Sequence, residues 1–276
     1  MAVDEAVLET AGRGQVPPTL RLYAWEPACL SLGYAQPASD VDLARLRACG
    51  WDLVRRPTGG RAVLHTDELT YSMAGPLDEP RLAGTVLESY NRLARALTEA
   101  LQLLGLEVEI QEHVEKAKRA VPNPVCFEMP STYEITVGGK KLVGSAQARR
   151  REGVLQHGSL PLTGDLGRIL QVLAFRDEAS RSRAAARLLE RATTVETALG
   201  RPVSWEQAAA ACARAFRSVL GLKLQQGDLT SSERSRAEEL ERNKYAHPDW
   251  TGVEARGAAR PAITAGRRSP PGSPGH

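Results

Sequence analysis

The chain has 276 residues, 42% of them hydrophobic and 25% charged, which supports a real core in one large domain or two small ones. No apolar run approaches the roughly 18 residues of a membrane-spanning helix, and the acidic start MAVDEAVLETAGRG lacks the pattern of a signal peptide. No membrane partner and a cytoplasmic location are therefore expected. The formal net charge of +3 resides in residues 251–276, which carry four arginines and one glutamate, so the basic balance does not point to nucleic-acid binding by the body of the chain.

In chain order, TLRLYAW (19–25) and CLSLGY (29–34) are short apolar runs separated by Glu-Pro-Ala, a spacing that predicts a hairpin-like pair. DVDLARLRACG (40–50) has leucines at helical spacing, with Asp40 as the candidate N-cap and Gly50 as the C-cap. WDLVRRP and AVLHTDELTYSMAG predict two strands joined through Thr58-Gly59-Gly60-Arg61. Val86, Leu87, Tyr90, Leu93, Leu97, Leu101 and Leu104 mark an amphipathic helix that stops near Gly105, and LEVEI (106–110) predicts the next strand. YEITV and KKLVGSAQ flank Gly138-Gly139, a strong hairpin signal, and GVLQHGSLPL (153–162) adds one more strand. The pattern then turns helical. Ser204-Trp-Glu-Gln207 opens a helix with Ala208, Cys212, Phe216 and Val219 inward, and Thr230-Ser-Ser-Glu233 opens another. The expected fold is α+β, a mixed, largely antiparallel sheet flanked by helices, in one domain over residues 1–250. Residues 251–276, with five glycines and four prolines, predict a disordered tail.

Three constellations could carry chemistry. The first is Arg55-Arg56-Pro-Thr-Gly59-Gly60-Arg-Ala-Val-Leu-His65. Paired glycines let backbone approach a ligand closely, and the arginines suit an anionic or carbonyl-rich one; a tight turn with solvated arginines fits the same spacing. The second is Cys126, in a proline-flanked loop fifteen residues before Lys141. Either the thiol is a small apolar filler, or a nearby ammonium lowers its pKa and makes it a nucleophile. The third is Gln156-His157-Gly158-Ser159 together with Ser145, a strand that could line a pocket or be structural. Cys29, Cys49 and Cys212 stand on apolar patterns and read as core. No Cys-x-x-Cys, His-x-x-x-His or phosphate-loop pattern occurs, so no metal site is expected.

Taken together, LRLYAWEPACLSLGYAQ (20–36), RRPTGGRAVLH (55–65), LVGSAQARRREGVLQHGSL (142–160) and NKYAHPDW (243–250) resemble, in order, the lipoate–biotin protein ligase superfamily over nearly the whole of residues 1–250. The resemblance implies a mixed sheet with a tunnel for a medium-chain acyl group. It places the Arg-Arg-x-x-Gly-Gly segment and Gly144, Ser145, Ala146, His157 and Gly158 at that tunnel, and makes Lys141 the active-site lysine. The segment VCFEMPSTYEITVGGKKLVGSAQ is similar to the octanoyltransferase branch, in which a cysteine, here Cys126, holds the acyl group as a thioester. Acyl carrier protein is then the donor, and a lipoyl-domain protein such as the glycine cleavage H protein the acceptor. No cofactor, ATP or metal is expected. An ATP-dependent lipoate–protein ligase and an octanoyl-H-protein amidotransferase are the alternatives within the family. Arg149-Arg150-Arg151 could dock an acidic partner or simply face solvent.

Overall fold

A computed structural model describes residues 1–112 and 133–252. Cys126 and most of the 251–276 tail lie outside the described residues. The described elements begin with helix α1 (Ala2–Gly12) and strands β1 (Thr19–Tyr23) and β2 (Cys29–Leu32). Helix α2 (Leu43–Ala48), strands β3 (Asp52–Arg55), β4 (Val63–His65) and β5 (Glu68–Gly75), and the long helix α3 (Val86–Leu103) follow. Next come β6 (Glu109–Glu112), β7 (Tyr133–Val137), β8 (Lys140–Arg149) and β9 (Val154–Pro161). The chain closes with α4 (Glu178–Arg191), α5 (Val195–Leu199), α6 (Trp205–Leu220), α7 (Ser231–Leu240) and the short α8 (Pro248–Thr251).

Two sheets form. The larger runs β1-β5-β9-β8-β7-β6 and is antiparallel throughout. The smaller runs β3-β2-β4, with β2 parallel to β3 and antiparallel to β4. The expected α+β class holds. The β7–β8 hairpin forms as the sequence predicts, with Gly138 and Gly139 both at positive φ (55° and 74°), the backbone a two-residue hairpin turn demands.

The predicted β1–β2 hairpin does not form. All four residues of β2 are buried, so β2 sits between two neighbours, whereas β1 is half-buried and pairs with β5 at the edge of the larger sheet. AVLHTDELTYSMAG likewise divides at Thr66-Asp67, giving one strand to each sheet. Helix α2 starts later than expected: Asp42, not Asp40, accepts from the Ala44 and Arg45 N–H groups, and the helix ends on Cys49 with Gly50 left-handed beyond it. Cys49 is exposed, contrary to its apolar reading, while Cys29 and Cys212 are buried as expected. β6 starts three residues after LEVEI begins, because Leu106 turns into the core first.

Helices α3 and α6 pack together against one face of the larger sheet. Their buried rows, Leu93, Leu97 and Leu101 with Ala208, Cys212 and Phe216, meet Tyr71, Val143 and Ile135 in the main core. Val219, predicted inward, is 39% exposed; Ala215 takes its place on the buried row of α6. Thr85, Ser204 and Thr230 each close a capping box at the start of α3, α6 and α7. The opposite face of the larger sheet receives α1, through Val7 and Leu8 against Ala74 and Leu155. The smaller sheet has its own core with α2, α4 and the 3-10 turn Leu166–Gln171.

Candidate active site

A cleft of about 410 Å³, partly open to solvent, separates the two sheets. Its floor comes from adjacent register rows of the larger sheet. Thr70, Ser159 and Gly144 pair across β5, β9 and β8, followed by the row of Gly158 and Ser145, then His157 and Ala146. Its roof comes from Ser31 of β2, Val63 and His65 of β4, and Arg56 and Gly60 of the intervening loop. The small floor residues have a physical reason. A Cβ on Gly158 would stand 2.6 Å from both Ser145 Oγ and Tyr71 Cε1, so only glycine lets the Tyr71 ring cross there and its hydroxyl meet Ser145 Oγ at 2.7 Å.

Each histidine of the cleft is held between a carboxylate and a hydroxyl. His65 Nδ1 lies 2.7 Å from Glu68 Oε1, its Nε2 lies 2.8 Å from Ser31 Oγ, and the Trp25 ring stacks on it at 4.3 Å. His157 Nδ1 lies 3.3 Å from Asp4 Oδ2, and its Nε2 lies 2.7 Å from Thr58 Oγ1. Asp4 is fully buried and also accepts from Arg21, from Tyr23 at 2.8 Å and from Ser72 at 2.8 Å. Burial opposes its ionisation, but the hydrogen bond from His157, the chain's amino terminus and Arg21 outweigh it and hold the carboxyl well below the usual carboxylate range. Burial moves His157 the other way from a charged partner's pull and keeps its pKa low, despite Asp4. A neutral imidazole facing a carboxylate carries its proton on Nδ1, so Nε2 accepts from the Thr58 hydroxyl. Glu68 is likewise held low: burial works against it, and His65, Ser159 and Thr70 prevail.

The two adjacent arginines have different fates. The Arg55 guanidinium donates to five backbone carbonyls: Gly33 (2.8 Å), Tyr34 (3.1 Å), Gln36 (2.5 Å), Trp250 (2.9 Å) and Thr251 (2.9 Å). It fastens α8 to the turn after β2 and does not line the cleft. Arg56 curls over its own loop, donating to the carbonyls of Gly59 (2.9 Å) and Arg61 (2.7 Å) and to Ser31 Oγ (3.1 Å), and it does line the cleft. At Gly60, whose φ is +96°, the backbone makes a close approach within the protein itself. There the loop presses on Gly33, where a Cβ would stand 1.9 Å from the Gly60 carbonyl oxygen. Gly59 faces open space and lies outside the cleft wall.

Among the described residues, the structure thus gathers Arg56, Gly60, His65, Gly144, Ser145, Ala146, His157 and Gly158 at one cleft. Lys141 lies on β8 three positions before Gly144, is 5% exposed, and donates to Glu134 Oε1 at 3.0 Å. Among the described residues the two buried thiols are poor nucleophile candidates: burial pushes Cys29 and Cys212 up to about 12. Arg149 and Arg150 are turned inward, to the Leu82 carbonyl and to Glu5, which leaves Arg151 as the exposed member of the run. Sequence reasoning missed Ser31, Glu68, Thr58 and Asp4. Glu68 left a trace, an acid three residues after a histidine; Asp4 left none, since its partners lie 17 to 153 residues away.

The chain matches the lipoyl protein ligase A/B catalytic domain over residues 1–217. It is 44% identical over 254 residues to an octanoyltransferase LipM of Kyrpidia tusciae, covering 91% of this chain and 92% of that one. It is 45% identical over 251 residues to the octanoyltransferase LipM of Moorella thermoacetica, with the same coverage. Among solved structures, a bipartite lipoate protein ligase of Thermoplasma acidophilum, studied with its E2 lipoyl domain, superposes with a TM-score of 0.76 at 26% identity over 94% of this chain and 92% of that one. A lipoate-protein ligase A bound with ATP superposes with a TM-score of 0.72 at 27% identity, covering 91% of each chain.

Proposed function

The chain belongs to the lipoyl protein ligase A/B catalytic domain family, and on that premise we propose that it carries out its transfer through a cysteine thioester. Its activity is octanoyl transfer in lipoate biosynthesis, and its acceptor is a lipoyl-domain protein. The observation that carries this reading is likeness to octanoyltransferases along nine-tenths of the chain, with a cleft floored by small residues between the two sheets.

In the proposed reaction the Cys126 thiolate attacks the thioester carbonyl of octanoyl-acyl carrier protein. The tetrahedral oxyanion collapses, the carrier's phosphopantetheine thiolate leaves and takes up a proton, and octanoyl-Cys126 remains. Lys141 supplies the positive charge that favours the thiolate. A lysine of the acceptor, the glycine cleavage H protein in our reading, then attacks octanoyl-Cys126, forms the amide and returns the thiolate. Its amine has an ordinary pKa near 10.4 and must lose a proton, so a base is needed. Lys141 and His157 are the candidates. Nε2 of His157 bears no proton but already accepts from Thr58, so His157 takes a proton by way of that hydroxyl or in exchange for it. Thioester to amide runs downhill, so no ATP enters.

The test is an intact mass after mixing the protein with octanoyl-acyl carrier protein in the absence of ATP. A hydroxylamine-labile octanoyl adduct is expected on the wild type and none on Cys126→Ala. An adduct that survives in Cys126→Ala removes the cysteine from the mechanism. Transfer that demands ATP and free octanoate establishes the ligase reaction in its place.

A further inference from the structure

The cleft has a neighbour. A second hollow lies beside it, of about 470 Å³ counting the solvent at its open mouth, with Leu64, Leu166, Ile169 and Leu188 on one side and the Asp67–Arg168 ion pair at its rim. Among the described residues, Val63 and Ser159 alone line both cavities. One belongs to the roof and the other to the floor: Val63 pairs with Ser31 across the smaller sheet, and Ser159 pairs with Thr70 and Gly144 in the larger. A single residue from each sheet therefore partitions the two spaces.

The partition is fixed. Val63 is 8% exposed and β-branched on a strand, which leaves it little rotamer freedom. The Ser159 hydroxyl is engaged by Glu68, which also holds His65. Beyond the partition the wall is mixed: Leu64, Leu166, Ile169 and Leu188 give an apolar side continuous with the core of the smaller sheet, and Glu68, Thr163 and Asp165 give polar edges. An alkyl chain that passed Val63 would find the leucine and isoleucine side to lie along, so the valine's volume is the first obstacle a longer chain meets.

We propose that Val63, with Ser159 as the opposite edge of the partition, sets the length of acyl chain that the cleft accepts. The inference rests on the acyl-transfer reading of the cleft. Cutting Val63 back joins the cavities and admits longer chains; enlarging it shortens the space on the cleft side.

The experiment measures kcat/KM for transfer from hexanoyl-, octanoyl- and dodecanoyl-acyl carrier protein to an apo lipoyl domain, in the wild type, Val63→Ala and Val63→Phe. Each ratio of chain lengths is taken within one protein preparation, so partial unfolding cancels. Val63→Ala is expected to raise the dodecanoyl-to-octanoyl ratio by about tenfold or more, the discrimination that a few methylenes in an apolar site carry. Val63→Phe is expected to raise the hexanoyl-to-octanoyl ratio. Octanoyl transfer by the variants with both ratios within about twofold of wild type overturns the partition and leaves the transferase reading standing. A wild type that does not transfer octanoyl from this carrier overturns that reading, and the inference with it.

Discussion

The cleft's two histidines have the same local wiring and different origins. His65 takes Glu68 from the start of β5, three residues on, and Ser31 from the strand paired beside it. His157 takes Asp4 from α1, 153 residues away, and Thr58 from the roof loop, 99 residues away. The carboxylates differ as well. Glu68 is surrounded by hydroxyls and one imidazole, whereas Asp4 faces the permanent cation of Arg21 and three further donors. The His65–Glu68 pair is thus local in sequence, and its most distant partner is the Ser159 hydroxyl on Glu68, 91 residues away. The His157 set fastens the N-terminal helix, the floor and the roof to one another. Because Thr58 hangs from the roof and His157 stands on the floor, their 2.7 Å hydrogen bond ties the two walls of the cleft together.

Isosteric replacements test that contrast most sharply. Asp4→Asn removes a buried charge, leaves Arg21 and His157 facing an amide, and is expected to cost about 3–5 kcal/mol of unfolding free energy. Glu68→Gln keeps an acceptor for His65 and strands no permanent cation, and is expected to cost about 1–2 kcal/mol. Urea denaturation of both variants decides the matter. Equal losses would show that sequence distance and Arg21 add nothing to the Asp4 set, and the comparison would fail.

The fastening role of the roof is tested next, at Arg55. Arg55→Lys retains the charge but cannot reach five carbonyls, so the cost is expected to be about 2 kcal/mol, concentrated where Arg55 holds Trp250 and Thr251. Hydrogen exchange in residues 245–252 should rise well above that of β2. A uniform rise across both segments would mean that Arg55 supports the whole fold equally.

These residues also show what the sequence could and could not tell. The β7–β8 hairpin, the capping boxes and the amphipathic α3 were legible because each is decided within about twenty residues by turn chemistry, side-chain capping or periodicity. The β1–β2 pairing was misread because β2 finds its partners by burial: all four of its residues are covered, which a single hairpin neighbour could not do. At the site, His65, His157 and the Gly-Ser-Ala run were visible as residues, while the groups that orient them were not. Asp4 sits in an acidic first turn of α1 that resembles any solvated helix start, and only its docking against Arg21, Tyr23, Ser72 and His157 gives it a role. Arg55 and Arg56 were indistinguishable as neighbours in sequence, and strand alternation sent one to backbone carbonyls and the other to the cleft.

The smallest expected effect concerns pH, and its sign separates the two members of the Asp4–His157 pair. Burial holds the folded His157 pKa below its ordinary value near 6.5, so under mild acid the unfolded chain binds a proton that the folded chain refuses. Stability therefore falls as pH drops below about 6.5, by at most about 1 kcal/mol between pH 6.5 and 5.5 from this group. Asp4 acts later. Its folded pKa is depressed, so its contribution is complete above the ordinary carboxylate pKa near 3.9 and is lost as pH falls through the folded value, which leaves the range from 7 to 5 untouched. His157→Gln should accordingly flatten the decline in urea midpoint between pH 6.5 and 5.5 while leaving the steep loss below pH 4 in place. If the variant keeps the full wild-type decline in the upper range, the proton taken up on unfolding belongs to another group, and His157 is charged in the folded protein beside Asp4.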